Sequence, residues 1–239
     1  MLAFTPLQDA VGAAGAVVAG LAAGLEPLAG GGATAAAIVV FTIAVRLLIA
    51  PLTVAQVRGE RRRAALAPRV RELQRRYADD RARLQAELFA LYRSVGANPL
   101  AGCLPPLLQA PFLFVAYRLF TTDEGGTGLL AERLAGVPLG HQLGDGLAGA
   151  VVPLFGFLLV ALLAVAWLTA RRMRRLAAAG PDGASGALAR LLPLLPYATV
   201  PVALVLPLAA VIYLVTTTAW AALEQAVLRR SPDTVTDRR

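Results

Sequence analysis

Arg46 interrupts an apolar run, 34–54, that reads TAAAIVVFTIAVRLLIAPLTV. An arginine in the middle of a membrane helix costs about 2.5–3.5 kcal/mol on insertion scales, so its presence asks for a reason. One reason is a charge held in a water-accessible groove. The other is a side chain that snorkels to the interface. Val54 lies roughly 12 Å further along the helix, too far to snorkel easily, whereas Pro51 is only about 7.5 Å away. The two readings therefore stay open. Thr42 stands one helical turn before Arg46, and Gln109 offers an amide from the second apolar run. Tyr213 and Thr216, one turn apart in the last apolar run, complete the set of groups able to line one wet cavity. The bland alternative for all four is packing or interhelical hydrogen bonding, worth about 0.6 kcal/mol on average.

Other chemistry is hard to build. Cys103 is the single cysteine and His141 the single histidine, which excludes an internal disulfide and leaves too few ligands for a metal site. No Ser–His–Asp set, phosphate-binding glycine loop or paired-carboxylate constellation appears. The expectation is a protein that is not an enzyme and uses no cofactor, nucleotide or metal.

The elements that must position these groups are set by composition. Hydrophobic residues make up 57% of 239, charged residues 16%, and mean hydropathy is +0.64. A soluble domain carries about a quarter charged residues. Spans are expected at about 34–54, 103–121, 149–169, 191–206 and 207–226. The last two come from one long apolar stretch punctuated by Pro193, Pro196, Pro201 and Pro207, and they turn back near Leu206–Pro207. Residues 10–25, rich in alanine and glycine, read as a helix on the outer surface, with a further spanning helix as the alternative. No basic residue precedes Arg46, so the charged start of a cleavable signal peptide is not seen.

All 23 basic residues are arginines, and they sit between the apolar runs rather than in one patch. That pattern argues against a specific nucleic-acid partner. Segment 56–93 holds eleven arginines against five acids, and 170–190 holds five against Asp182. The 121–148 loop instead carries Asp123, Glu124, Glu132 and Asp145 against Arg133. The positive-inside rule puts 56–93, 170–190 and the C-terminus in the cytoplasm and the N-terminus outside.

Segment 56–95 holds two apolar stripes at 4-3-4 spacing: Leu66, Val70, Leu73 and Tyr77, then Leu84, Leu88, Leu91 and Val95. Each stripe occupies one face of a helix. Ala78-Asp79-Asp80 is a turn signal, and Pro68 suits the first turn of a helix beginning near Ala67. A cytoplasmic helical hairpin is expected, against the plainer reading of a solvated connector.

The exit of that hairpin is more specific. Gly96-Ala97-Asn98-Pro99-Leu100, Cys103-Leu104-Pro105, Gln109, Pro111 and Phe112 resemble the start of the second core helix in the YidC family of membrane protein insertases, in its short actinobacterial-type form. Pro68, Gln74, Tyr77, Asp80, Leu91 and Tyr92 in the hairpin fit as well. So do Arg46 with Pro51, and Pro207, Tyr213, Thr216 and Gln225 at the far end. Pro207-Leu208-Ala209 stands where the family has Pro-Ser-Gly, and Thr217-Thr218 where it has paired asparagines. The resemblance covers about 34–228. It implies an all-α polytopic membrane protein, with five transmembrane helices around a hydrophilic groove and a cytoplasmic hairpin. The 1–33 segment is then extracytoplasmic and 229–239 a short basic tail. Arg46 and Gln109 become groove residues. The implied partners are nascent membrane proteins and the lipid bilayer, with the general translocon and the ribosome as further candidates.

Two other classes compete. A small secondary transporter would show inverted repeats with broken helices in matching halves, and no internal repeat appears. A structural scaffold would need neither Arg46 nor the 96–112 motif.

Overall fold

The computed structural model describes residues 5–94, 114–121, 128–179 and 192–230. Helices dominate. In chain order they are α1 (Thr5–Ala29), α2 (Ala33–Arg76), α3 (Arg81–Ser94), α4 (114–121), α5 (Val151–Ala179), α6 (Thr199–Val205) and α7 (Leu208–Arg230). Three helical stretches are long and apolar enough to cross a membrane: Gln8–Val57, Val151–Arg175 and Leu208–Leu228. The expected span at 34–54 falls within the first of these, and those at 149–169 and 207–226 overlap the other two but for one or two residues at their starts. The span expected at 103–121 lies mostly outside the described residues.

The fourth apolar run is shorter than a spanning α-helix. Its prolines convert Leu192–Ala198 into a 3-10 segment, and only Thr199–Val205 is α-helical. Proline lacks the N–H that closes an α-turn, and the tighter 3-10 form suits short runs. Together the two pieces rise about 24 Å. Leu206 is extended, at φ −92° and ψ 148°, and the chain turns there into α7, at the expected Leu206–Pro207 position.

The chain divides into two compact units, Met1–Leu47 with Phe112–Arg239, and Leu48–Pro111. In the first, Ile38, Phe120, Leu139, Phe155, Leu162, Leu208 and Val211 are fully buried. Helix α1 joins this core through Val11, Ala14, Val18, Leu21, Ala22 and Leu25, a stripe at helical spacing. On α5, one face supplies Phe155, Leu158 and Leu162 to the core, while Phe157, Val160 and Leu163 are exposed. Exposed apolar bulk of that kind is what a lipid-facing surface requires.

The loop before α5 is ordered by its own hydrogen bonds. Strands β1 (Arg133–Leu134) and β2 (Val137–Pro138) pair antiparallel across Ala135-Gly136, whose φ values are +51° and +84°. Two consecutive positive φ values make the hairpin turn whose twist matches its strands. Leu139 and Val137 then enter the core. The loop also caps α7: the Leu208 N–H donates to the His141 carbonyl at 3.0 Å, and the Ala209 N–H to the Leu139 carbonyl at 2.9 Å. The first N–H groups of a helix have no partner within it, so these two bonds satisfy donors otherwise stranded in a buried place. Gly140 lets the chain pass Leu130, whose Cβ and carbonyl oxygen would stand 3.2 Å from any added Cβ.

The second unit corrects one expectation. The first hairpin arm was expected to start near Ala67 with Pro68 in its first turn. Instead α2 runs unbroken through 44 residues, with Pro51 and Pro68 both inside it. Segment 55–67 (AQVRGERRRAALA) is rich in strong helix formers, and Gly59 alone does not end a helix. Each proline removes one backbone bond without stopping the helix.

The turn itself falls where Ala78-Asp79-Asp80 places it. The Tyr77 N–H closes on the Leu73 carbonyl, and the Arg83 N–H donates to Asp80 Oδ1 at 2.9 Å. Asp80 thus caps α3 through the third N–H of the helix, the usual role of an N-cap carboxylate. Arg76 and Arg83 both stand 5.7 Å from the Tyr77 ring. Val70, Leu73, Tyr77, Leu84, Leu88 and Leu91 are half-buried, and Leu66 is buried. We expect Leu73 and Leu88 to face one another across the hairpin. Cysteines at both positions should crosslink readily. Leu73→Asp should raise protease cleavage within 56–95 well above that of Arg75→Asp, and equal cleavage would leave only a connector.

Candidate functional site

Arg46 and Thr217 meet between α2 and α7. The Arg46 Nε–H donates to Thr217 Oγ1 at 2.8 Å, and an Nη2–H donates to the same oxygen at 2.5 Å. Thr217 is buried and Arg46 half-buried. Arg46 therefore reaches across to a neighbouring helix rather than running along its own. A hydroxyl is a neutral acceptor, so it orders the guanidinium without cancelling its charge. Two of the five N–H donors are engaged, and the rest stay available to an acceptor.

Along α7 the residues Tyr213, Thr217, Trp220 and Glu224 recur at 4-3-4 spacing and share one face. Tyr213 stacks against Phe120 of α4, with centroids 5.4 Å apart and planes tilted by 33°. The Trp220 Nε1–H is shielded from solvent and has no hydrogen-bond partner among the described residues. From the sequence Trp220 reads as an interfacial anchor, but an anchor keeps its N–H wet. A buried donor without an acceptor costs about 1–3 kcal/mol.

The other sequence-derived candidates have different surroundings. Thr42 is buried, and its hydroxyl donates to the Ile38 carbonyl of its own helix at 2.7 Å. Thr216 likewise donates to the Ile212 carbonyl at 2.8 Å. Both hydroxyl protons are thus held within their own helices. Gln109 and Cys103 lie outside the described residues. Thr217 was not picked out from the sequence as a groove residue. Its signal was there: it shares a face with Tyr213, four residues earlier, just as Thr216 does at three.

Residues 26–235 match the family model described as 60Kd inner membrane protein. The chain belongs to this family. The matched span contains both Arg46 and Thr217. Among curated relatives, the chain is similar to the membrane protein insertase YidC of Chlorobium limicola, at 42% identity over 86 residues. That alignment covers 36% of this chain and 15% of the relative. It is also similar to the membrane protein insertase YidC of Acidiphilium cryptum, at 44% identity over 89 residues, or 37% of this chain and 15% of that protein. The chain spans about 15% of the length of these curated relatives. Membership of the 60Kd inner membrane protein family, with three membrane-capable helices, makes this a protein of the cell membrane.

Proposed function

We propose that the chain is a membrane protein insertase, and that Arg46 and Thr217 line a polar groove through which nascent membrane proteins enter the bilayer. One observation carries the reading: a charged guanidinium within the apolar core unit, oriented by a neutral hydroxyl rather than a carboxylate. The unmet Trp220 N–H, one turn from Thr217, adds a second donor on the same face. Tyr213 and Thr216 of α7 and Thr42 of α2 are assigned to the same groove wall.

The physical task is to move polar groups of a short translocated segment through hydrocarbon. Each unpaired polar group costs several kcal/mol there. Donors fixed in place lower that cost without reorganising, and a positive charge favours acidic groups above all. The apolar span of the substrate then leaves sideways into lipid, driven by its own burial. Five spans are proposed, with α1 and the loop ahead of α5 outside, and the hairpin and the arginine-rich ends of α5 and α7 in the cytoplasm. No step calls for nucleotide hydrolysis. The translocon and the ribosome are candidate partners of the cytoplasmic face.

Photocrosslinking tests the reading. A photoreactive residue at Thr217 should crosslink to a stalled nascent chain carrying one span and a short acidic tail. The same residue at Phe157, on the exposed face of α5, should crosslink chiefly to lipid. Nascent-chain crosslinks at Phe157 and none at Thr217 would place the substrate path elsewhere.

A further inference from the structure

A cavity of about 220 Å³ lies on another face of α7 from Thr217. Thr218, which lines it, is about 100° around the helix from Thr217. Its other walls include Leu162, Ala166 and Thr169 of α5, Thr199 of α6, and Ala221 of α7. The three threonines make it look polar, but the hydroxyl protons are spent locally. Thr169 donates to the Val165 carbonyl, Thr199 to Pro196 and Thr218 to Leu214, at 2.9, 2.7 and 2.7 Å. Gln225 adds one amide to the lining, and the other walls, among them Leu162, Val165, Ala166, Pro196, Ala221 and Ala222, are apolar side chains. The space is larger than the ~150 Å³ that takes a benzene when lined by apolar groups. Its mostly apolar walls suit a hydrocarbon chain.

The residues next to the cavity have a different chemistry. Arg172 lies three residues beyond Thr169 on the same face of α5, and its Nη1–H donates to the Ala222 carbonyl at 2.8 Å. Ala222 itself lines the cavity. That single bond holds a guanidinium against a wall residue of the cavity, with further donors of its fork unspent among the described residues. Level with it, Arg171 stands 5.0 Å from the ring of Trp167, which is 48% exposed. A tryptophan with an arginine one turn beyond it marks the boundary between acyl chains and headgroups. The cavity therefore lies just below headgroup level, with a guanidinium bonded to one of its wall residues.

We propose that this cavity is a site for an anionic glycerophospholipid, with one acyl chain between α5, α6 and α7 and its phosphate on Arg172. A basic pocket between membrane helices is suited to such headgroups, and the planar guanidinium fork matches a phosphate. Acyl burial contributes about 0.8 kcal/mol per methylene, so headgroup and tail act together. The inference needs only that the chain is a membrane protein. It does not rest on the insertase reading.

Native mass spectrometry of the full chain in detergent, with phosphatidylglycerol or phosphatidylcholine added, tests it. The wild type should retain one phosphatidylglycerol at least about tenfold more strongly than phosphatidylcholine. Arg172→Gln should abolish that preference, whereas Arg174→Gln should keep it. Ala221→Leu, which fills the cavity, should release both lipids. Inorganic phosphate in about a hundredfold excess should leave the lipid bound, because it has no tail to bury. Equal retention of the two lipids by the wild type would overturn the proposal. So would unchanged retention in Ala221→Leu, or displacement by phosphate or by an apolar span peptide. If Arg172→Gln is not recovered folded, the wild-type comparison and Ala221→Leu decide between these outcomes.

Discussion

Arg46→Ala should leave the protein abundant in the membrane and cut its insertion of substrates with acidic translocated tails by about 10–100-fold, the worth of one charge-assisted hydrogen bond. Two opposing terms explain the unchanged abundance. The substitution removes a half-buried cation that costs about 2.5–3.5 kcal/mol to place mid-helix. It also leaves the Thr217 hydroxyl without its donors, a loss of about 1–3 kcal/mol. These nearly cancel. Thr217→Val separates the charge from its support, since it removes the acceptor at 2.8 Å and keeps the guanidinium. We expect Thr217→Val to lose stability and retain most insertion, and Arg46→Lys to retain much of it, because charge matters more here than a fork. Complementation of a depleted strain, with membrane levels read by immunoblot, checks all three. Normal insertion by an abundant Arg46→Ala protein would leave Arg46 a structural residue only.

The loop ahead of α5 should be as important to stability as any helix. Leu139 is fully buried, and its carbonyl accepts the Ala209 N–H at the start of α7. Leu139→Ala should cost about 2–5 kcal/mol by leaving a cavity. Leu139→Asp should cost more, because a carboxylate buried without a partner adds its own penalty. Leu147, in the same loop, is 63% exposed, so Leu147→Asp should change little. Thermal unfolding in detergent gives the comparison. Equal midpoints for Leu139→Asp and Leu147→Asp would show that the loop does not hold α7 in place.

Much of this architecture is legible in the sequence because membrane helices announce themselves by length and apolarity. The proline-broken run at 191–207 also predicts its own turn, since Leu206 and Pro207 leave the helix where the backbone must. Asp80 signals its cap by residue type. Other features carry weaker signals. The continuity of α2 past Pro68 depends on helix formers outweighing two prolines, a balance that local rules weigh poorly. The β1–β2 turn uses Ala135 at φ +51°, where an Asn-Gly pair would have been conspicuous. The site is half legible. Arg46 stands out by its cost, while Thr217 is one of three consecutive threonines, and only helix phase separates it from Thr216 and Thr218. Thr42 is legible as a polar group in the first span, but not the direction of its hydroxyl proton, which goes to the Ile38 carbonyl.

The central claim is that this chain, by itself, lowers the barrier to membrane insertion. The direct measurement is reconstitution of the purified protein into liposomes, with a radiolabelled single-span substrate whose short acidic tail is protected from added protease once translocated. The account predicts protection well above that of empty liposomes, without nucleotide, and reduced to the empty-liposome level by Arg46→Ala. Protection no greater with the wild-type protein than with lipid alone would contradict it.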